Sequence, residues 1–294
     1  MGALTRIASR DGATLVEGEF PLTAGDFHII AALLHEEAGI ALPEGKATLV
    51  YSRLAKRLRV LGLRSFREYC ALAAGPEGAE ERRHMLTALT TNVTRFFREP
   101  HHFDHMRTVL LPPLLEEAKR GGKVRIWSAA CSSGQEPYSI AMTILSLMPE
   151  APRFDVKILA TDIDPMILSE ARAGFYAEAA LEGVPPALRQ RWFERAGDGR
   201  WAVADPARGL VHFRELNLIG AWPMRGFFQA IMCRNVVIYF EEGTQAGVWQ
   251  RFVPLLAPGG HLYIGHSERV NGPAAGAFES TGITVYRKRG GAAP

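Results

Sequence analysis

The 294-residue sequence has only three cysteines, Cys70, Cys131 and Cys233, far apart and without a C-x-x-C pair. Their scarcity excludes a disulfide framework and a cysteine-built zinc site and points to a reducing compartment. No apolar run approaches transmembrane length, and the first residues lack the core of a secretory signal, so the expected location is the cytoplasm. The G-x-G-x-x-G run of a dinucleotide fold is missing, as is the H-E-x-x-H of a zinc hydrolase. Charge of neither sign dominates: the net is +3, too mild to name a nucleic-acid partner. What is present, 47% hydrophobic and 22% charged residues, describes a globular chain of one large or two modest domains.

Residues 1–20 are polar and aperiodic and are expected to form a flexible arm. Residues 21–91 read as a helical domain. Thr23 is a predicted N-cap with Asp26 three residues on, and Phe27, Ile30, Leu33 and Leu34 form an apolar stripe ending at Gly39. A second helix over Lys46–Leu61 stops at Gly62. Ser65 to Glu68 has the form of a capping box, and Ala79–Leu89 is a fourth helix. Residues 92–123 are expected to be a linker and lid, and 289–294 a tail. From 124 to 288 apolar strands alternate with helices, which implies α/β architecture with a parallel sheet covered on both faces. The alternation lapses over 174–213, where Gly197-Asp198-Gly199 between aromatic residues predicts a hairpin-bearing insert.

The richest stretch is Ile126–Tyr138, I-W-S-A-A-C-S-S-G-Q-E-P-Y: a strand, a small-residue loop and a helix start. That layout lets a ligand approach bare backbone N–H groups. Glu136 beside it disfavours a pyrophosphate and suits a cationic nucleoside such as S-adenosylmethionine; an ordinary packed turn is the other reading. Thr161-Asp162-Ile163-Asp164-Pro165 ends the next strand. Asp164 and Pro165 fit an N-cap and first helical position, which leaves Asp162 for both hydroxyls of a ribose. Asn217 follows a strand and could face an adenine edge or make a turn. Arg234 and Asn235 follow a buried strand and need hydrogen-bond partners. His101 and His105 have metal-pair spacing without the accompanying glutamate; with His102 they are expected to form a surface cluster, and no metal is expected. The helix bearing Arg53, Lys56, Arg57 and Arg59 has no acidic residue and is a candidate docking face for an acidic partner.

Together T-T-N-V-T-R-F-F-R-E (Thr90–Glu99), W-S-A-A-C-S-S-G-Q-E-P-Y-S-I-A-M (Trp127–Met142), T-D-I-D (Thr161–Asp164), L-N-L (Leu216–Leu218), C-R-N-V-V-I-Y-F (Cys233–Phe240) and G-H-S-E (Gly265–Glu268) resemble the chemotaxis receptor glutamate O-methyltransferases, the CheR family. The resemblance implies a class I S-adenosylmethionine-dependent methyltransferase, a Rossmann-like mixed sheet, with an N-terminal all-helical domain and a small inserted β-subdomain. It implies donor contacts at Asn92, Thr94, Arg98, Glu136, Asp162, Asn217, Leu218, Arg234 and Asn235, with Arg98 and Tyr239 nearest the reacting carboxylate. It also implies docking of Arg53, Lys56, Arg57 and Arg59 on the cytoplasmic helical region of chemotaxis receptors. The product would be S-adenosylhomocysteine. The short stretch from Glu194 to Gly209 argues against a tether to a C-terminal receptor peptide. Competing readings are a methyltransferase acting on nucleic acid, disfavoured because Asn235 is followed by valines and not by the prolines of a D/N-P-P-Y-like run, a catalytically silent signalling module of the same fold, and a nucleotide-dependent oxidoreductase.

Overall fold

The computed structural model describes residues 12–290. Contacts divide the chain into two compact units, one running to Thr91 and including Tyr239–Glu241, the other beginning at Asn92.

In the first unit, β1 (Thr14–Val16) pairs antiparallel with β2 (Leu22–Thr23), and Phe20 is buried. The described part of the predicted arm is therefore built into the unit; residues 1–11 lie outside the described residues. Helix α1 (Ala24–Ala38) opens on a full capping box. Thr23 Oγ1 accepts the Asp26 N–H at 3.2 Å, and the Asp26 carboxylate accepts the Thr23 N–H at 3.3 Å. Gly39 ends it in left-handed backbone, φ 70°. Helix α2 (Ala47–Leu61) ends on Gly62 in the same way, and buries Val50, Leu54 and Leu58 along one side. At α3 (Phe66–Ala74) the predicted box is displaced. The Ser65 hydroxyl accepts the Glu68 N–H, but the Glu68 carboxylate reaches past Ser65 to the Arg64 N–H at 2.8 Å. Helix α4 (Ala79–Leu89) completes the set.

The second unit starts with irregular chain over Asn92–Glu99 and then turns helical: α5 (Pro100–His105), one wide π turn (Met106–Leu110) and α6 (Leu111–Lys119). Most of the predicted linker is thus helix. The wide turn precedes Pro112 and Pro113, which have no N–H to return to the preceding turn. The sheet and its crossovers follow: β3 (Val124–Ala129), α7 (Gln135–Leu147), β4 (Val156–Asp162), α8 (Pro165–Ala173), β5 (Phe175–Tyr176), α9 (Pro186–Trp192), β6 (Phe193–Arg195), β7 (Trp201–Val203), α10 (Asp205–Gly209), β8 (Val211–Glu215), β9 (Phe228–Cys233), α11 (Glu242–Leu255), β10 (Leu256–Ile264), β11 (Phe278–Gly282) and β12 (Val285–Lys288).

Seven strands lie in the order β11-β12-β10-β9-β3-β4-β8. The pairs from β10 to β8 are parallel, and β12 runs antiparallel between β10 and β11. The central strands are buried on both faces: in β3 every residue but Arg125 is buried. Trp127 packs against Phe252 and Phe228, while Tyr138 packs against Phe213 and Tyr176. The insert is a separate three-stranded sheet, β5-β7-β6, whose hairpin turns at Gly197–Gly199. It ends at Val203, because Val211–Phe213, placed in the insert by sequence, pair with β4 in the main sheet. Strand β11 has no apolar alternation to announce it and exists by pairing with β12.

Candidate functional site

The strand order reverses between β3 and β9, and at such a point ligands settle outside the carboxyl ends of parallel strands. The chain leaves β3 through Ala130 and Ser132, both in left-handed backbone (φ 62° and 50°), and Gly134 (φ 93°). Non-glycine residues seldom adopt that region, and they concentrate at functional turns. A Cβ on Gly134 would fall 2.9 Å from the Tyr176 hydroxyl, so glycine is required there. The loop is held from several sides. The Cys131 N–H bonds to the Thr161 carbonyl at 2.8 Å, and the Tyr176 hydroxyl donates to the Ser133 carbonyl at 2.7 Å. The Ser132 hydroxyl donates to the Asn92 carbonyl at 2.9 Å, which brings Asn92 to this loop.

Asp162 closes β4 and is buried. It does have a structural task, contrary to expectation: Oδ2 accepts the Ser132 N–H at 2.8 Å and Oδ1 the Asp164 N–H at 3.1 Å. Burial raises its pKa, and those N–H bonds work against the rise. Each oxygen has a second lone pair, so ribose hydroxyls can still bond to it. Asp164 is the N-cap of α8, accepting from Met166 N–H at 2.9 Å, and its other oxygen accepts from the Asn92 amide at 3.3 Å. The Leu216 N–H bonds to the Asp162 carbonyl, so Asn217 and Leu218 leave β8 beside the end of β4. Asn217 Oδ1 accepts the Ile219 N–H at 3.0 Å, forming a turn, and Arg251 grips the Leu218 carbonyl at 2.9 Å.

Glu136, in the first turn of α7, is also buried. Oε1 accepts the Ser128 hydroxyl at 2.7 Å and Oε2 lies 3.1 Å from Arg234 Nη1. Burial raises its pKa, against the pull of Arg234 and Ser128. Arg234, 2% exposed, does not open outward as a donor contact would. It ties Glu136, Glu99 (3.3 Å) and the Arg98 carbonyl together from inside. Burial alone would raise the Glu99 carboxyl, but Arg234, His266 and His102 hold it down at about 2. Phe97 and Glu99 are again left-handed (φ 51° and 58°), so the segment carrying Arg98 is both strained and clasped. The Arg98 guanidinium donates to the Val93 carbonyl at 3.2 Å, and Thr94 is half-buried.

Asn235 takes left-handed backbone, φ 59°. Glu268 keeps it there. Its carboxylate, 3% exposed, accepts four backbone N–H groups: Val236 at 3.0 Å and Val237 at 3.1 Å on Oε1, Asn235 at 3.0 Å and Gly265 at 2.5 Å on Oε2. Burial raises its pKa, and the four donors oppose that rise. Sequence reasoning assigned Glu268 and Glu99 no role; their only signal was membership of G-H-S-E and T-T-N-V-T-R-F-F-R-E. Burial also pushes the Cys131 and Cys233 thiols well up, which leaves neither a reactive thiolate.

Tyr239 groups with the helical unit, where its carbonyl accepts the Ala41 N–H at 2.8 Å; the residue is exposed. The basic helix α2 is less free than its sequence implies. Arg53 Nη1 donates to the Ala88, Leu89 and Thr90 carbonyls, capping α4 at 2.8–3.2 Å. Arg57 forms a two-pronged bond to buried Glu81 (3.1 and 2.6 Å). Arg59 pairs with exposed Glu19 at 2.6 Å, and Lys56 points to solvent. The histidines are no surface cluster: His102 is fully buried, and His101 and His105 are half-buried.

A mixed seven-stranded sheet with this order, flanked by helices and carrying these polar side chains at its carboxyl rim, is the architecture of a class I methyltransferase. Residues 92–287 match the model described as the CheR methyltransferase SAM-binding domain, and residues 25–90 match that of the CheR all-alpha domain. A "probable chemotaxis protein methyltransferase" of Rhizobium etli is 60% identical over 258 residues, covering 87% of this chain and 96% of that one. The "chemotaxis protein methyltransferase" of Escherichia coli is 41% identical over 271 residues, covering 90% and 91%, and that of Klebsiella aerogenes is 40% identical over 294 residues, covering 97% and 98%. The chain belongs to the CheR methyltransferase family, and S-adenosylmethionine is its methyl donor. Among the described residues, no helix is long and apolar enough to cross a membrane.

Proposed function

We propose that the protein transfers the methyl group of S-adenosylmethionine to glutamate side-chain carboxylates of chemotaxis receptors, leaving glutamyl methyl esters. The observation that carries this reading is the joint setting of Asp162, Asn217, Asn92 and the Ala130–Gly134 loop at one rim of a CheR-family sheet. Asp162 would receive the ribose hydroxyls, and Asn217, Leu218 and Asn235 the adenine. Asn92, Thr94 and Arg98 would close over the donor from the clasped segment. Glu136 and Arg234 act from below, the first lending negative potential near the sulfonium, the second fixing Glu136 and the Arg98 backbone.

A glutamate side chain has a pKa of about 4.3 and is anionic at neutral pH, so the transfer needs no general base. Alignment supplies the main effect: a carboxylate oxygen held about 3–3.5 Å from the methyl carbon, opposite the departing sulfur. The charges cancel as the bond forms, so a tight bidentate clamp would favour the ground state. Arg98 is suited to a loose hold, and Tyr239 to orienting the acceptor by a hydrogen bond. For docking, Lys56 and Arg59 carry the outward charge of α2, while Arg53 and Arg57 maintain its packing. The tight hairpin at Gly197–Gly199 supports direct docking without a peptide tether.

Incubation with isotopically labelled donor and receptor-bearing membranes should give label on the receptor that alkali releases, because methyl esters hydrolyse. Alkali-stable label, or label on nucleic acid, would refute the proposal. Tyr239→Phe should slow turnover with donor affinity nearly intact; lost donor binding in calorimetry would remove the orienting role.

A further inference from the structure

Beneath the clasped segment, among the described residues, Glu99, His101 and His102 bring one ligand atom each to within 4.8 Å of the others. The atoms facing that space are Glu99 Oε2, His101 Nε2 and His102 Nδ1, all buried and all without a hydrogen-bond partner. Buried polar atoms are seldom left so, and three converging orphans call for an explanation.

The ring hydrogen of His102 is accounted for. His102 Nε2 lies 2.8 Å from Thr284 Oγ1, whose own hydrogen goes to the Ile283 carbonyl at 2.8 Å. Nε2 therefore carries the ring hydrogen and Nδ1 presents a bare lone pair to Glu99 Oε2 across 3.5 Å. Arg234 Nη2 donates one hydrogen to the Arg98 carbonyl and lies 3.3 Å from that oxygen as an ion pair, while Nη1 serves Glu136. Two carboxylates thus share one guanidinium, and the His102 Nδ1 lone pair faces Glu99 Oε2 with no hydrogen between them.

We propose that Glu99, His101 and His102 form a binding site for a divalent first-row transition ion of the zinc kind. Two imidazole nitrogens and a carboxylate oxygen are the donor set such an ion takes, with a fourth position left for water. Ligands about 2.0–2.1 Å from a tetrahedral ion lie roughly 3.4 Å apart, the spacing already present between Nδ1 and Oε2. Donation of the other ring N–H to a hydroxyl or carbonyl is how ligating histidines are usually oriented. An ion there would fix the Glu99 turn, and with it the segment that presents Arg98. The inference is independent of the acceptor specificity proposed above.

The test is a titration of tag-free, chelator-treated, full-length protein with Zn2+ by calorimetry, with Co2+ as the spectroscopic probe. One equivalent should bind, Co2+ should give the visible bands of a four-coordinate nitrogen–oxygen site, and His101→Ala, which removes a ligand outright, should weaken Zn2+ binding at least ~10-fold. Circular dichroism checks that this half-exposed substitution leaves the fold intact. Should it not, the imidazole resonances of wild-type protein decide: His101 and His102 must shift on adding Zn2+. Absence of stoichiometric binding, equal affinity in folded His101→Ala, or shifts confined to other histidines would overturn the proposal.

Discussion

Glu268→Gln perturbs the site without changing the volume of a side chain. In the native protein one carboxylate accepts four backbone N–H groups, two on each oxygen. A glutamine has one accepting oxygen. However its amide is set, the NH2 group faces two N–H donors, either those of Asn235 and Gly265 or those of Val236 and Val237. Bonds to a charged group contribute about 1.5–3 kcal/mol each, so losing two costs about 3–6 kcal/mol before relaxation. At the lower end, melting should fall by roughly 6–12 °C for a domain of this size. The loss is also local: Asn235 would no longer be held at its left-handed φ of 59°, and the donor contact proposed for it would loosen. Calorimetry with S-adenosylhomocysteine should show at least a ~10-fold weaker affinity at a temperature where the variant is folded. Unchanged melting together with unchanged affinity would refute the view that this carboxylate shapes the donor rim.

Asp162→Ala should weaken donor binding at least ~10-fold, since hydrogen bonds to an ionised group are lost; because burial raises this carboxyl, wild-type affinity should also decline on acidification beginning above the ordinary carboxylate range. Arg57→Ala leaves Glu81 buried without its partner and should destabilise the helical unit by about 3 kcal/mol in urea melts. Lys56→Glu, by contrast, should leave stability within ~0.5 kcal/mol and reduce receptor methylation; equal methylation would remove α2 as the docking face. His261, packed against His105, Tyr263 and Arg287, is held down at about 4 by burial first and by His105 and Arg287 next. The unfolded chain therefore takes up the proton first, and the contribution is complete above about pH 6.5 and lost as pH falls towards 4. Urea melts should show a loss of about 1–2 kcal/mol between pH 7.5 and 5, and His261→Phe should shrink it.

Much of the site was legible because its chemistry is local. A capped helix start, a small-residue loop and a polar residue after an apolar strand are written in consecutive residues, and they placed Asp162 and Asn217 at strand ends and Glu136 in the first turn of a helix. Asp164 was legible for the same reason, since an N-cap and its helix are neighbours in the chain. What stayed hidden depends on partners far away in sequence. Glu99 meets Arg234 across 135 positions, and Glu268 meets Asn235 across 33. Arg53 read as free surface charge because the α4 carbonyls it caps lie 35–37 residues on. His102 read as exposed because nothing near it in the chain reveals burial against Tyr263 and Thr284.

The sequence by itself determined the helical unit, the alternation of strands and helices and the family motifs, because periodicity, capping and turn chemistry act over a few residues. The tertiary structure alone decided which charges are spent inside the protein and which remain for ligands. Burial and long-range pairing set the cost of a charge, and neither is a property of neighbouring residues.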